Sequence, residues 1–399
     1  MRTRTAVATT RDTETAVRTI AAALAGGPPG FRADFVAIHT TVAHAGRDIL
    51  AALGRVDLPG ALHGGTSCRG LMTEEGFFRS VDGAIAAFAI EDPEGAYGTG
   101  AASLGSDARA ASRQAVTAAL KAAGRSGEAP DLVWLTVAPG REEAVLKGIA
   151  DVVGPGCPVF GGSSADDDVT GRWFQFTRAG VLADGIVVSV LFPSRRIAFD
   201  YHSGYQPTDR NGVVTAAEGR TIRTIDGRPA FEVYREWTGG AIGAMPVDGP
   251  SVILGQSTFH PLGRHVRDVA GIPYFVLAHP SVAHPDGSME LFCDVRAGER
   301  LTLMTGDPDS LVGRAGRVAR YALSNAEVEV GDVLGALVVY CGGCLLAVED
   351  RAAEVVAGID HALGGAPFLG VFTFGEQGCL WDDESRHGNL MISCAAFAR

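Results

Sequence analysis

Three residues in the last part of the chain, Cys341, Glu376 and His387, are of types that carry out thiol or acid–base chemistry. Glu376 follows Gly375 at the end of an apolar, β-branched and aromatic run. An ionised carboxylate beside a buried strand is costly unless it is paired or open to water, so we expect Glu376 to face a cleft. There it would act as a general base if its pKa were raised. A thiol at Cys341 would be a nucleophile if a cation, a histidine or a helix N-terminus lowered its pKa.

Each of these residues also has a structural interpretation. Cys341 could equally be a buried cysteine that packs as a small apolar side chain at the end of a strand. Glu376 could accept backbone N–H groups at a turn, and His387 could be a solvated residue in a polar loop. The chain thus leaves open a cofactor-independent lyase, isomerase or hydrolase that acts on a small carbonyl-containing substrate through Glu376, Cys341 and His387.

An apolar run that ends in two glycines and two hydroxyl residues occurs twice, as Gly64-Gly65-Thr66-Ser67 and as Gly161-Gly162-Ser163-Ser164. Glycine allows a ligand to approach the backbone closely, and outward N–H and hydroxyl groups suit an anionic or carbonyl oxygen. A tight turn leaving a strand is the plainer interpretation. Neither segment matches a nucleotide-binding motif. The predicted ligand-binding residues are Gly161, Gly162, Ser163, Ser164, Thr66, Ser67, Cys341, Glu376 and Asn389.

Periodicity predicts helices that alternate with strands along the whole chain. Helices are predicted near 14–25, 107–123, 141–152, 310–323 and 351–363. Strand-like runs near 34–39, 132–137, 185–192, 335–340 and 390–393 are apolar on both faces, as expected for sheets covered on both sides. The predicted fold class is α/β (α+β), with two packed domains, mixed sheets and flanking helices.

A turn signal, Asp226-Gly227, lies near the middle of the chain. We place the domain boundary there, between residues 30–225 and 226–395. No low-complexity linker separates the halves, so we expect them to pack together and to leave a ligand-binding cleft between them.

Composition restricts the partners. The chain has 399 residues, 46% of them hydrophobic, and a formal net charge of -12 without any basic run, which argues against nucleic acid. No apolar segment is long enough to span a bilayer, and no secretory signal is present at the start. Seven scattered cysteines indicate reduced thiols. We therefore expect a cytoplasmic protein that does not bind membranes, with its oligomeric state left open.

Histidines raise the question of a metal or haem. His260 and His265, and likewise His279 and His284, are five positions apart in proline-containing stretches, which does not place a pair on one helix face. We therefore predict no metal site and no cofactor. Haem is kept as an alternative because one axial ligand suffices, and His63, His202 or His260 could each supply it.

A set of motifs in a fixed order resembles the FIST family, which pairs an N-terminal and a C-terminal domain in bacterial signal transduction. The motifs are Gly64-Gly65-Thr66-Ser67, Pro158-Val-Phe-Gly161-Gly162-Ser163-Ser164-Ala-Asp166, Gly204-Tyr-Gln-Pro207, Ile225-Asp226-Gly227-Arg-Pro229, His260-Pro261-Leu262-Gly263, Asp286-Gly287-Ser288, Cys341-Gly-Gly343 and Phe368-Leu-Gly370-Val-Phe-Thr-Phe-Gly375-Glu376. The resemblance implies a sensor-type protein that binds a small, amino-acid-like ligand in the cleft. Some members resemble haem-binding gas sensors, and any output would pass to a separate signalling protein.

Two departures from the resemblance concern the ligand. Cys344 stands where the family pattern has an arginine after Cys-x-Gly, and the strand that starts at Tyr274 lacks the arginine expected after it. Arginine is the usual partner of a carboxylate through two parallel bonds. The departures weaken the implication of an amino-acid-like ligand and favour a fairly apolar or carbonyl-bearing one.

Overall fold

In the computed structural model, residues 1–26, 30–269, 271–379 and 384–399 are described, apart from the side chains of residues 269 and 272. These residues form three six-stranded sheets and one larger sheet. Parallel and antiparallel pairs occur together. The predicted mixed α/β fold class is therefore confirmed.

The first sheet-forming repeat starts at residue 2. Its elements are β1 (Arg2–Thr9), α1 (Thr13–Ala25), β2 (Phe35–Thr40), α2 (Gly46–Leu53), β3 (Ala61–Thr66), β4 (Gly70–Thr73), β5 (Gly76–Arg79) and β6 (Ala84–Glu91). Helix α2 joins β2 to β3, and these two strands pair in parallel.

The second repeat has the same order of elements. They are β7 (Ala96–Ser103), α3 (Ala108–Ala122), β8 (Leu132–Val137), α4 (Glu142–Val153), β9 (Val159–Ser163), β10 (Gln175–Thr177), β11 (Gly180–Leu182) and β12 (Gly185–Phe192). Strands β8 and β9 are the parallel pair.

The third repeat begins with β13 (Arg196–Ser203) and is then interrupted by an insertion with its own sheet. The insertion comprises β14 (Gln206–Glu218), β15 (Thr221–Ile225), β16 (Arg228–Pro229), α5 (Ala230–Trp237), β17 (Ser251–Val252), α6 (Leu254–Ser257), β18 (Leu262–Val269), β19 (Ile272–Ala278), β20 (Pro280–Ala283), β21 (Met289–Leu291) and β22 (Arg300–Thr305). The repeat resumes with α7 (Pro308–Asn325), β23 (Val333–Cys341), α8 (Gly342–Val348), α9 (Ala352–Leu363), β24 (Phe368–Thr373), β25 (Glu376–Cys379), β26 (Ser385–Gly388) and β27 (Met391–Ala398).

The three six-stranded sheets share one strand order. They run β1-β6-β2-β3-β10-β11, β7-β12-β8-β9-β25-β26 and β13-β27-β23-β24-β4-β5. In each sheet the last two strands form a hairpin that comes from a different repeat. The first repeat gives its hairpin to the third sheet, the second to the first, and the third to the second. No repeat completes its own sheet, so this cyclic exchange ties the three together.

Helices cover one face of each sheet, and the remaining faces form the interior. The sheet of the second repeat packs its apolar face against α3 and α4, that of the first against α1 and α2, and that of the third against α7 and α9. The predicted helices and strands are confirmed within a few residues at their ends. Among the described residues, no helix combines the length and the apolar character needed to cross a membrane.

The predicted turn at Asp226-Gly227 joins β15 to β16, and both residues adopt positive φ angles of 50° and 76°. Strands on both sides of this turn belong to the inserted sheet. The domain boundary placed between residues 225 and 226 stays a prediction.

Gly161 provides a test of how tightly β9 packs against β8. Its φ angle is +147°, and a Cβ at this position would overlap the backbone of Leu135. We expect Gly161→Ala to lower the free energy of unfolding by about 3 kcal/mol or more, through backbone strain and steric overlap. Gly180→Ala is the control, because a Cβ there meets nothing within 4 Å; urea unfolding of both variants measures the difference. Equal stability of the two variants would contradict the packing.

Candidate functional site

The carboxyl ends of β3, β9 and β24 meet inside the molecule. The Ser163 N–H donates to the Gly375 carbonyl at 2.8 Å, and the Phe374 N–H donates to the Ser163 carbonyl at 3.1 Å. The Ala165 N–H donates to the Thr66 carbonyl at 3.1 Å. Backbone hydrogen bonds therefore join the segments in which the sequence placed the candidate ligand-binding residues.

The two Gly-Gly elements occupy equivalent places in the repeats. Gly65 lies opposite Gln175 of the exchanged hairpin, and Gly162 lies opposite Glu376 of the next one. A Cβ at Gly162 would overlap the Thr373 side chain. These glycines are therefore needed to let the strands of different repeats pack together.

Hydroxyl groups at these strand ends bond mainly to protein atoms. The Ser67 hydroxyl donates to the Gly70 carbonyl at 2.6 Å and accepts from the Phe372 N–H at 2.9 Å. The Thr66 hydroxyl accepts from the Phe174 N–H at 3.2 Å. The Ser164 hydroxyl is buried and has no hydrogen-bond partner among the described residues. Thr66 and Ser67 thus hold neighbouring repeats together.

The Ser163 hydroxyl leads into a buried ionic network. It donates to Glu142 Oε1 at 2.7 Å, and Arg220 Nη2 donates to Glu142 Oε2 at 2.6 Å. Burial alone would raise the pKa of Glu142, but the electrostatic interactions with His387 and Arg220, together with these hydrogen bonds, lower it. Glu142 is therefore an ionised carboxylate inside the protein, and it links α4 to the inserted sheet.

Glu376 is fully buried, and both of its carboxyl oxygens bond to the protein. The Thr373 hydroxyl donates to Oε1 at 2.8 Å, and the Met391 N–H donates to Oε2 at 2.9 Å. Burial, followed by the nearby Cys341 side chain, raises the pKa of Glu376 well above its usual range. Burial therefore favours the protonated, uncharged form of this carboxyl group.

Cys341 and Asn389 line a small cavity of about 40 Å³, together with His279, Thr373 and Gly375. Burial raises the pKa of the Cys341 thiol well above its usual value, so the thiol stays protonated. Asn389 Oδ1 accepts from the His279 N–H at 3.2 Å. This cavity therefore presents neither a thiolate nor a charged carboxylate.

His387 lies elsewhere, in the wall of a cleft of about 650 Å³. One wall is formed by α4 and the other by β18, β19 and β22, with β26 between them. The imidazole Nδ1 lies 3.1 Å from Gln377 Nε2, and Nε2 lies 3.2 Å from the Phe292 carbonyl oxygen. His387 is thus held in place by both ring nitrogens and lines the large cleft, whereas its neighbours Phe292 and Gly375 line the small cavity of Cys341.

Arg264, on β18, lines the same cleft and was not identified from the sequence. Its Nη1 and Nη2 donate to the carbonyl oxygens of Asp294 and His387 at 3.1 and 2.9 Å. Its buried Nε has no hydrogen-bond partner, and Arg264 forms no ion pair within the described part of the chain. Arg264 directly follows the sequence motif that ends at Gly263, and this position is the signal by which it could have been found.

The cleft carries charges of both signs and an apolar surface. Lys147 on α4 and Arg300 on β22 are cationic, whereas Glu143 and Glu299 are anionic. The apolar part of the lining is made of Leu146, Val159, Val266 and Val276. A ligand with one polar end and an apolar body matches this surface.

A metal centre was considered where Glu142, Glu143 and His387 each place one ligand atom within 4.8 Å of the others. Arg220 Nη2 lies 2.6 Å from Glu142 and 3.2 Å from Glu143. The Arg220 guanidinium already pairs with both carboxylates, and its positive charge beside them disfavours a further cation. Two of the histidines with the five-residue spacing have acidic partners of their own, since His265 lies 3.0 Å from Asp268 and His284 lies 2.9 Å from Glu290.

The three candidate haem ligands lie outside both cavities. His63 is fully buried, with Nε2 at 2.7 Å from Thr136 Oγ1 and Nδ1 at 3.0 Å from Ser189 Oγ. His202 Nδ1 accepts from the Ser203 N–H at 2.7 Å. His260 is partly buried beside Tyr234, whose hydroxyl donates to its carbonyl oxygen.

Comparison with known proteins gives two family matches and several distant relatives. The FIST N domain model matches residues 34–228 and the FIST C domain model matches residues 230–379. An uncharacterized protein of Methanocaldococcus jannaschii is 37% identical over 79 residues, which cover 20% of this chain and 15% of that protein. An uncharacterized protein of Mycobacterium tuberculosis is 27% identical over 239 residues, or 59% of each chain. The chain therefore spans less than two thirds of the length of these relatives.

A solved structure, a cyanuric acid hydrolase from A. caulinodans, aligns over 100% of this chain and 99% of its own, with a TM-score of 0.35 and 12% identity. That likeness is too weak to assign a fold or an activity. The two domain models together match most of the chain, in tandem. The protein therefore belongs to the FIST family, whose domains generally sense small ligands.

Proposed function

We propose that this protein is a sensor-type binding protein whose small ligand occupies the 650 Å³ cleft. The cleft lies between α4, within the segment matched by the FIST N domain, and β18, β19 and β22, within the segment matched by the FIST C domain. Its volume is within the range of pockets that bury small molecules. The observation that carries the proposal is the Arg264 guanidinium in this cleft, which has no ion-pair partner in the described part of the chain.

Arg264 is suited to hold a ligand oxygen. Its guanidinium lines the cleft and has no ion-pair partner in the described part of the chain. An oxygen of a ligand carbonyl or carboxylate would accept from it and would gain a charge-assisted bond.

The rest of the cleft supports a ligand with an apolar body. Leu146 and Val159 face Val266 and Val276 across the space, and covering apolar surface stabilises a complex by about 25 cal/mol per Å². His387 lies close to the polar end, since its carbonyl oxygen is bonded to Arg264 Nη2. The proposed ligand therefore combines a carbonyl or carboxylate group with an apolar portion.

In our proposal, the residues at the strand ends hold the elements around the ligand site together. Gly162, Thr66 and Ser67 join the repeats, Gly161 lets β9 pack closely against β8, and Ser163 holds Glu142 at the base of α4. Direct ligand contact by Ser164, Cys341, Glu376 and Asn389 stays a prediction. A reaction through a Cys341 thiolate is not included, because burial raises the pKa of that thiol. The cytoplasmic location and the separate signalling partner expected from the sequence belong to the same proposal.

Replacement of Arg264 tests the ligand site. We expect Arg264→Met to weaken binding of a carboxylate- or carbonyl-bearing ligand at least tenfold, because the charge-assisted bond is worth about 1.5–3 kcal/mol. Ligand-dependent thermal stabilisation would identify the ligand from a panel of small carboxylic acids, amides and ketones, and calorimetry would then measure the affinity.

Arg18→Met is the matched control, since Arg18 is exposed and pairs only with Glu14 on its own helix. Circular dichroism and the melting temperature without ligand report whether Arg264→Met folds. An unchanged affinity in a folded Arg264→Met protein would refute the proposed site.

The ionic network beneath the cleft gives a pH-dependent prediction. Folding lowers the pKa of Glu142, so this carboxylate stabilises the protein above its unfolded pKa, and the stability is lost as pH falls through the folded pKa. Arg220→Met removes the paired cation and should cost about 3–5 kcal/mol at pH 7.

The deficit should shrink as pH falls below about 4.5, because the unfolded chain takes up a proton there, whereas the folded wild-type protein keeps Glu142 ionised down to its lower pKa. Urea unfolding at pH 4 and pH 7 measures both values. Arg223→Met is the control, because Arg223 is exposed and pairs with the exposed Glu218. A deficit that is equal at both pH values would contradict the role given to Arg220.

A further inference from the structure

Glu376 and Gln175 occupy equivalent positions in two of the sheets. Each is the first residue of an exchanged hairpin, in β25 and β10, and each lies opposite the second glycine of a Gly-Gly element. Gln175 Oε1 accepts from the N–H of Gly185, the first residue of β12, at 3.0 Å. Glu376 Oε2 accepts from the N–H of Met391, the first residue of β27, at 2.9 Å.

The shared hydrogen bond requires only a neutral carbonyl-type acceptor. The glutamine amide supplies one in the second repeat, and a protonated carboxyl group has the same shape and the same acceptor. An ionised carboxylate that was fully buried would instead need a cation. In the part of the chain that the structure describes, the ionisable side chains found beside Glu376 are the Cys341 thiol from β23, which is within hydrogen-bonding reach, and the Tyr201 phenol from β13, whose hydroxyl donates to the Glu376 carbonyl at 3.0 Å. Neither becomes a cation.

We infer that Glu376 is a positioning residue that stays a neutral carboxylic acid in the folded protein and does for the third repeat what the Gln175 amide does for the second. It ties the hairpin β25–β26 to the first residue of β27. The same hairpin carries His387 into the cleft wall. The importance of this hairpin for a ligand site in the cleft rests on the proposed function, whereas the protonation state of the Glu376 carboxyl group does not.

The inference is tested by comparing Glu376→Gln with the wild-type chain over a range of pH, without any ligand. In the unfolded chain the carboxyl group ionises near 4.5, whereas the folded protein keeps its proton. Folding that retains a proton becomes less favourable as pH rises. Above about pH 4.5 and up to the higher pKa of the folded protein, wild-type stability should therefore fall relative to Glu376→Gln, about tenfold in the folding equilibrium constant per pH unit.

Gln175→Glu is the matched control, because it should create the same pH dependence in the second repeat. Glu376→Ala should lower stability at every pH, since the Met391 N–H and the Thr373 hydroxyl lose their acceptor. The infrared C=O band of a protonated carboxylic acid should be present in the wild-type protein and absent from Glu376→Gln.

Three results would overturn the inference. The first is a stability ratio between wild type and Glu376→Gln that does not change with pH. The second is a Glu376→Gln protein that fails to fold or is as unstable as Glu376→Ala. The third is a wild-type spectrum without the protonated carboxyl band. None of these outcomes bears on Arg264, so a failure here is distinguishable from a failure of the proposed ligand site.

Discussion

Each of the three repeats lacks the last two strands of its own sheet and receives them from another repeat. An open sheet edge exposes unpaired N–H and C=O groups, so a repeat could not be stable alone with its edge uncovered. The hairpins must cross where the ends of the inner strands meet, and this crossing accounts for the glycines at 64, 65 and 162. It also accounts for the hydroxyl groups of Thr66 and Ser67, which bond to atoms of a neighbouring repeat.

The cleft follows from the same arrangement. The third repeat gives β25 and β26 to the sheet of the second, and this places His387 beside α4. The insertion within the third repeat supplies β18 and Arg264 on the opposite side. Glu142, Arg220 and Glu143 connect the two walls at their base. The hairpin exchange therefore brings His387 to α4, and the insertion brings Arg264 to the same site.

Local features were predictable from the sequence, and distant pairings were not. Helix α9 and strand β8 are set by periodicity and by the residues at their ends, so both were predicted closely. The pairing of β25 with β9 depends on which sheet edge is left open, and no local pattern records that. Two adjacent glycines followed by hydroxyl residues suggested a ligand site, yet the structure uses them largely for packing between repeats.

The candidate site was predictable only in part, for an electrostatic reason. The sequence identified Glu376 as a carboxylate in an apolar context but not the hydrogen bonds from Thr373 and Met391 that hold it. Arg264 was overlooked because its chemistry depends on burial and on the absence of a carboxylate partner in the described part of the chain, and neither can be read from residue type. His387 was singled out, but its place in a different cavity from Cys341 depends on the strand exchange.

The most direct test of the account is an experimental structure of the protein with the small molecule that stabilises it or copurifies with it. The account predicts a ligand between α4 and β18, with an oxygen atom within hydrogen-bonding distance of Arg264 and an apolar portion against Leu146 and Val276. A ligand seated instead in the cavity of Cys341 and Asn389, with the large cleft filled only by water, would contradict it.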